Sequence, residues 1–587
     1  MTAPSPVQLA VTDPNYTVTS DGAVLPTSAQ VISIDVWTGV NKVPKARLVV
    51  SDGSASAENF PLSDSATLIP GAKLTISMGY NGNLTDVFSG VVYRMGLEAS
   101  TNGPPRLVVE ATDPAMVMTL ARQNAIFTNS ELQITDSEVC EKLITQAQLK
   151  PDVTTTTVTH ESIVQYYSTS WDLLVMRAQA SGMVVIANDG TVTVKPPDTS
   201  TAPVLTLTYG VSILDFQAEM DASTQFTAAS IQSFAWDPAT QSLATSGSAQ
   251  AGVTTPGNLT SDTLAGVFNI GAYAQQTAGA LQTDELTQWS SAELLQAKLA
   301  KIRGTARFLG SALATPGCMV TLAGVGDRFN GNAYVSDVHH SLEKLLWRTS
   351  IGIGLSPHWF AATAPRIEAP GASGQMPSIN DLQIGTVKQI DQDPDGEFRV
   401  LVTVPLLQAT GGAALWARFG SYYASNAVGS LFYPEIGDEV VLAFLSGDPR
   451  SPVILGSLYS KKNPPPFPAA TPNGDPKNNT KSIVSRSLMH LDFIEDKQAI
   501  QLTTPAKQSI RIDDTAKSIV LTDANGNTVT MDANGIAIDS KSDIKLTATG
   551  SVTISAGTSL TLSGQSTAKL TSGGVVQVKG STVALNP

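Results

Sequence analysis

Five histidines and two cysteines are the side chains best suited to bind a metal or to carry nucleophilic chemistry, and their spacing argues against both. His339 and His340 are adjacent, so on a strand they point to opposite faces, and no carboxylate or cysteine cluster accompanies them. Packing roles are expected of both. His160, His358 and His490 stand alone in sequence, and no Ser, His and Asp set or G-x-S-x-G elbow assembles around them. Cys140 and Cys318 have no second Cys or His at ligand spacing and read as buried free thiols. Asp172, Glu435, Asp438 and Glu439 sit where caps, loops and barrel edges are expected. The chain therefore reads as non-enzymatic, with no catalytic residue, metal ligand, cofactor-binding residue or cofactor.

A stronger regularity belongs to apolar residues and concerns assembly. From residue 536 onward, apolar pairs recur every eight residues: Ile536 and Ile538, Ile544 and Leu546, Val552 and Ile554, Leu560 and Leu562, Ala568 and Leu570, Val576 and Val578. At a hydrophobic content of 42%, twelve specified positions would all be apolar by chance roughly once in 30,000. Looser pairs precede the run at Ile500/Leu502, Ile510/Ile512, Ile519/Leu521 and Val529/Met531, and Val583/Leu585 follows it. Residues i and i+2 share one face of a strand, so each pair points inward while Lys545, Thr553, Thr561, Lys569 and Gln577 face solvent. Gly, Ser, Thr, Asp and Asn make the corners, and no Phe, Tyr or Trp follows Phe493.

Such short strands bury too little in one chain to offset the entropy of ordering it. Three chains wound about one axis supply the missing burial and ladders, each octad forming one face of a triangular prism, with about eleven layers making a needle roughly 50 Å long. The expected trimer core is Ile536, Ile538, Ile544, Leu546, Val552, Ile554, Leu560, Leu562, Leu570, Val576 and Val578. A single-chain β-helix with three octads per turn is the alternative.

Two Pro- and Gly-rich breaks, 361–379 and 461–480, divide the 587 residues. The first part mixes β-rich runs at 73–78, 87–92 and 106–110, which suggest a barrel, with three helical stretches. Thr135 with Glu138 forms a capping box for a helix to about Leu149. A second helix covers 170–181 and leads through Asn188-Asp189-Gly190 into a hairpin, and a third spans 285–303. The middle part holds five β-runs, 382–390, 398–404, 414–419, 439–444 and 453–458, which fit a small closed barrel of the oligonucleotide-binding type. Its aromatics Trp416, Phe419, Tyr422 and Tyr423 are expected in core and intersubunit packing. Nucleic acid is disfavoured as a partner, because the net charge is −14 and no Lys/Arg cluster is present. The opening MTAPSPVQLAVTDPNY carries no signal-peptide pattern, so synthesis in the cytoplasm is expected.

At 432–465 the run FYPEIGDEVVLAFLSGDPRSPVILGSLYSKKNPP resembles the spike barrel of VgrG proteins and related contractile-injection spikes, where P-x-x-G-x-E-V…F…G-D-P…P…G is characteristic. At 168–194, STSWDLLVMRAQASGMVVIANDGTVTV is similar to the tail-hub family that includes the phage late control protein. The resemblance implies a mainly β fold with a few α-helices: tube-like β-barrels in an N-terminal hub, a small OB-fold barrel, and a C-terminal intertwined triple-stranded β-helix in a homotrimer. The implied division is hub barrel 1 at 1–120, a hub insertion at 121–201 and 241–305, hub barrel 2 at 202–240 and 306–360, a linker at 361–379, the OB-fold barrel at 380–460, a linker at 461–481 and the needle at 482–587.

The implied function is a structural hub and spike that adapts a hexameric inner tube to a threefold needle and punctures a target envelope. Implied partners are the inner tube protein or tube initiator, baseplate proteins, and a target membrane contacted mechanically. The segment 31–50 lacks the F-x-G-x-E-x-L-S opening of type VI secretion VgrG proteins, which favours an extracellular contractile injection system and action outside the producing cell. No His follows His490, so a self-made H-x-H metal point is not expected. A separate PAAR-like tip protein is expected on Val583, Leu585, Asn586 and Pro587. A tail-spike adhesin or polysaccharide-degrading spike is the alternative, disfavoured by the smooth, aromatic-free octads.

Overall fold

Alternation of apolar and polar side chains builds most of the molecule. In the strand Lys73–Tyr80, Leu74, Ile76 and Met78 are buried while Lys73, Thr75 and Ser77 are not, the period-two pattern of a sheet with one covered face. The computed structural model describes residues 3–10, 12–100, 103–131, 133–365, 367–407, 414–466 and 477–585. The fold is mainly β with a few α-helices and divides into two units, residues 1–376 and 377–587.

In the first unit, one large sheet runs in the order Ile213–Met220, Ile302–Leu309, Leu346–Ile353, Gly331–Glu343, Val31–Gly39, Lys45–Ser51, Gly103–Thr112, Asn83–Ser100, Lys73–Tyr80, Pro14–Ser20 and Ala23–Val24. Met319–Ala323 pairs with Gly331–Glu343 and, in parallel, with Leu205–Thr208. The sheet packs over two cores. One contains Ile34, Leu48, Leu74, Ile76 and Leu107; the other contains Phe308, Val320, Leu322, Val335 and Ile351. They meet where Asp337–Glu343 pairs antiparallel with Ser33–Gly39. Ile231–Asp237 pairs elsewhere, with Ser242–Thr245 and Tyr273–Thr277, against helix Thr283–Leu299.

The helices follow their local signals. Thr135 Oγ1 accepts from Glu138 N at 3.3 Å and Glu138 Oε2 accepts from Thr135 N at 2.7 Å, so the capping box opens helix Asp136–Gln146. Val139, Cys140, Leu143 and Ile144 of that helix are buried. Helix Ser170–Ala180 ends before Gly182, whose φ is +67°, and the hairpin Val184–Asn188/Thr191–Lys195 turns at Asp189 and Gly190, both at positive φ. The third helix stops at Leu299 rather than near residue 303, because Ile302 already pairs with Met220 in the sheet. Both cysteines are free thiols; Cys140 is buried and Cys318 partly covered.

In the second unit, the strands Gln383–Gln389, Val400–Thr403, Ala414–Phe419, Pro452–Ser457 and Glu439–Phe444 close into a barrel around Val387, Val400, Val402, Val440, Leu442 and Ile454. Phe419 packs on this core beside Tyr433. Tyr422, in contrast, is 84% exposed and Tyr423 is also exposed. They lie in the loop before the small hairpin Ala424–Ser425/Val428–Gly429, outside the barrel wall. Beyond the barrel, residues 480–539 form an antiparallel meander of seven strands, from Thr480–Val484 to Gly535–Asp539. This corrects the expectation that the looser pairs from Ile500 onward belong to the prism: these strands pair within the chain. Residues 467–476, inside the expected second linker, lie outside the described residues.

Candidate assembly site

The meander sets its apolar pairs in two unbroken files. Leu491, Leu502, Ile510, Leu521, Val529 and Ile538 are successive cross-strand partners, and so are Phe493, Ile500, Ile512, Ile519, Met531 and Ile536. Cross-strand apolar neighbours of this kind stabilise a sheet, and here they share one face. That face is uncovered in the single chain: Ile500, Leu502, Ile510, Ile512, Ile519 and Leu521 are between 37% and 45% exposed. The opposite face satisfies itself with polar contacts. Arg511 donates to Asp513 Oδ2 at 2.7 Å and to Gln501 Oε1 at 2.7 Å.

After Asp539 the chain changes character. None of the described residues 540–585 belongs to a helix or strand. The hairpin turns of the meander use Leu488, Gln498, Lys507, Lys517, Gly526 and Gly535 at positive φ, and among the described residues none after Gly535 has one. Two-residue hairpin turns of types I′ and II′ need such a residue, so no turn of that kind joins the described octads. Ile544, Leu546, Val552, Ile554, Leu560, Leu562, Leu570, Val576 and Val578 are accordingly between 47% and 77% exposed. Ile536 and Ile538, expected in the same core, instead occupy the last meander strand. Val583 and Leu585 are exposed too; Asn586 and Pro587 lie outside the described residues. A regular file of bare apolar side chains on a segment with no strand partner in its own chain is a surface that burial against another chain would stabilise.

The first unit holds a buried polar cluster around His160. His160 is buried, with Nδ1 2.5 Å from Glu285 Oε1 and Nε2 3.3 Å from Asp136 Oδ2. Arg177 Nε donates to Asp136 Oδ1 at 2.6 Å, Ser181 Oγ to Asp136 Oδ2 at 2.6 Å, and Gln288 Nε2 to the same oxygen at 3.1 Å. Nδ1 faces Glu285 and Nε2 faces Asp136, with Arg177 Nη2 also 3.3 Å from Nε2, so two basic side chains lie against two carboxylates. Burial alone would lower the His160 pKa, but the hydrogen bonds to Asp136 and Glu285 raise it to about 9. The same contacts overcome burial to hold Asp136 and Glu285 below the usual carboxylate range. Sequence reading left His160 isolated, because its partners come from segments far along the chain.

The remaining candidates have structural surroundings. His340 is fully buried beside Trp347 and pushed down to about 3 by burial, with the neighbouring His339 charge adding to it. His339 points the other way, stacked on Trp37 at 4.9 Å and 2.9 Å from Asp35 Oδ1. Asp172 lies in the first turn of its helix, its N–H capped by Thr169 Oγ1; Asp438 accepts from Glu435 N, and Glu435 pairs with Arg486. Among the described residues no group of three or more His, Cys, Asp or Glu could hold a metal ion. Nor is any helix among them long and apolar enough to cross a membrane.

Residues 11–344, more than half of the chain, match the family model described as the Alg8 N-terminal domain. The chain belongs to the Alg8 N-terminal domain family. Behind this Alg8-type domain, residues 383–459 match the type VI secretion system/phage-baseplate injector OB domain and residues 499–586 match the phage baseplate V C-terminal trimerisation domain, the succession of a VgrG-like spike protein. The chain is 29% identical over 130 residues to the actin cross-linking toxin VgrG1 of Vibrio cholerae, covering 22% of this chain and 11% of that protein. It is 30% identical over 105 residues to the type VI secretion system spike protein VgrG1c of Pseudomonas aeruginosa, covering 17% of this chain and 14% of that one. The match thus spans a small part of these relatives' length. Among solved structures, a tail protein from Neisseria meningitidis aligns over 59% of this chain and 98% of its own, at 14% identity and a TM-score of 0.44. A type VI secretion system component of E. coli aligns over 75% and 99%, at 14% identity and a TM-score of 0.38.

Proposed function

We propose that three copies of this Alg8-type chain assemble into the hub and spike of a contractile injection system, with a structural role rather than a catalytic one. The observation that carries the proposal is the change at residue 539: upstream the chain pairs with itself and leaves one apolar face open, and downstream the described residues form no strand and leave the octad pairs bare. Second and third copies cover both. Meander faces meet around a threefold axis, and the 540–585 segments wind together so that each supplies the ladder the others lack.

In this reading residues 1–360 form the hub, with barrels at 1–120 and at 202–220 with 302–360; the insertion is 121–201 with 221–301 rather than 241–305, because strand 231–237 pairs with 242–245 and 273–277 and not with the large sheet. The OB-fold barrel at 380–460 and the needle at 482–587 project from it. Six barrels from three chains present a sixfold platform to a hexameric inner tube or its initiator, with baseplate proteins around it. A PAAR-like tip protein covers the apolar residues Val583 and Leu585. An extracellular contractile injection system is favoured over type VI secretion by the 31–50 segment and over a phage tail by hub and spike lying in one chain. Electron microscopy of the purified full-length protein tests the proposal: one triangular shaft per three chains is expected, and separate shafts on each copy would overturn it.

A further inference from the structure

Strand Leu346–Ile353 is held on both sides, by Ile302–Leu309 and by Gly331–Glu343, with Trp347, Thr349, Ile351 and Ile353 buried. The chain leaving it is held by single contacts spaced along its length. Leu355 N donates to Leu299 O at 3.1 Å, Ser356 O accepts from Gln296 Nε2 at 2.9 Å, Trp359 Nε1 donates to Glu293 Oε2 at 2.5 Å, and Phe360 N donates to Gln179 Oε1 at 2.8 Å. Further on, Arg122 Nη1 donates to Ile367 O at 3.2 Å. Residues 355–365 thus lie as a strap across helices 283–299 and 170–180. No residue of its short helix Phe360–Thr363 is buried. Leu355 and Phe360 line a cavity of about 380 Å³ together with Met183, Val184 and Leu295.

We propose that this strap is a releasable tether: load arriving from the residue 376 side peels 355–365 off the two helices before strand 346–353 yields. Two physical features carry the inference. A load on the strap meets its contacts one after another, each a single hydrogen bond, whereas a doubly paired, buried strand must break two ladders and expose its core residues together. Release also leaves little stranded behind. Glu293, the carboxylate gripping Trp359, keeps a second donor in Gln275 Nε2 at 3.0 Å, itself tied through Oε1 to Ser233. Gln179 keeps its hydrogen bond to Gln296 at 2.7 Å. The strap therefore lengthens the connection to the second unit while both ladders of strand 346–353 stay paired, uncovering only Leu355 and Phe360 where they pack on neighbouring apolar clusters. The contacts all lie within residues 1–376, so the inference stands apart from the trimer proposal.

Pulling the full chain in an optical trap tests this, with handles attached at Lys344 and Ser373 so that only strand and strap lie between them. The expected first event is a reversible step of up to about 60 Å, the contour of the strap side, followed at higher force by a shorter step for the strand. The double variant Trp359→Phe, Gln179→Ala should lower the first force and leave the second unchanged. In hydrogen exchange on the unmodified protein, amides of 356–365 should open at least about ten-fold faster than those of 346–353. One merged step, a strand-sized step first, or equal exchange in the two segments would each overturn the tether.

Discussion

His160 Nδ1 lies 2.5 Å from Glu285 Oε1, a contact between residues 125 apart in sequence that joins the segment around helix 136–146 to helix 283–299. Because the folded protein raises the His160 pKa from 6.5 to about 9, the contact contributes fully below pH 6.5 and is lost as pH rises through about 9. Asp136 and Glu285 are held below their usual range, so their contribution is present above it and fades as pH falls beneath the folded values. Thermal unfolding of the first unit should accordingly plateau from mildly acidic pH to about 6.5 and decline on the alkaline side. His160→Gln should lower the plateau by roughly 3 kcal/mol and flatten the alkaline limb. An unchanged limb in that variant would assign the pH dependence elsewhere.

Thr135→Ala removes the acceptor for Glu138 N and frees one orphan donor at the start of helix 136–146. A loss of about 1 kcal/mol is expected in denaturant unfolding. Thr135→Ser should recover most of it, since the hydroxyl alone makes the cap.

These two sites mark how far the sequence was legible. The cap at Thr135 and Glu138, the hairpin at Asp189-Gly190 and the five barrel strands were readable because their determinants lie within a few residues of one another. His160 was not, since Asp136, Arg177 and Glu285 converge on it only through tertiary packing. The meander departs from the expected prism for a different reason. An apolar pair at i and i+2 serves a self-paired strand and an intertwined one equally, and the discriminating residues are in the turns. Asn525-Gly526 and Asn534-Gly535, with Asp523 and Asp532 two residues ahead, form Asx-type hairpin turns in which Asp523 Oδ1 accepts from Asn525 N at 2.9 Å and Asp532 Oδ1 from Asn534 N at 2.7 Å. That N-G signal ends at residue 535, where the hairpins end.

Ile554→Asp would place three carboxylates near one axis if the octad pairs face inward, whereas Thr553→Asp would place them outside. In the single chain both positions are exposed, so a difference between them reports assembly rather than protomer folding. Light scattering should show the Ile554 variant strongly impaired in association and the Thr553 variant close to the parent. Equal effects would refute the inward register.

Deleting residues 583–587 removes the exposed Val583 and Leu585 while leaving the preceding octads in place. The truncated protein should keep its association state and lose capture of a PAAR-like tip protein in a pull-down. Undiminished capture would locate the tip contact on other residues.

The account rests on three chains covering what one leaves bare. Sedimentation equilibrium of the full-length protein at micromolar concentration measures this directly. The predicted mass is three times that of the 61.4 kDa chain, persisting on dilution because the wound segments must separate together. A stable species at the mass of a single chain would contradict it.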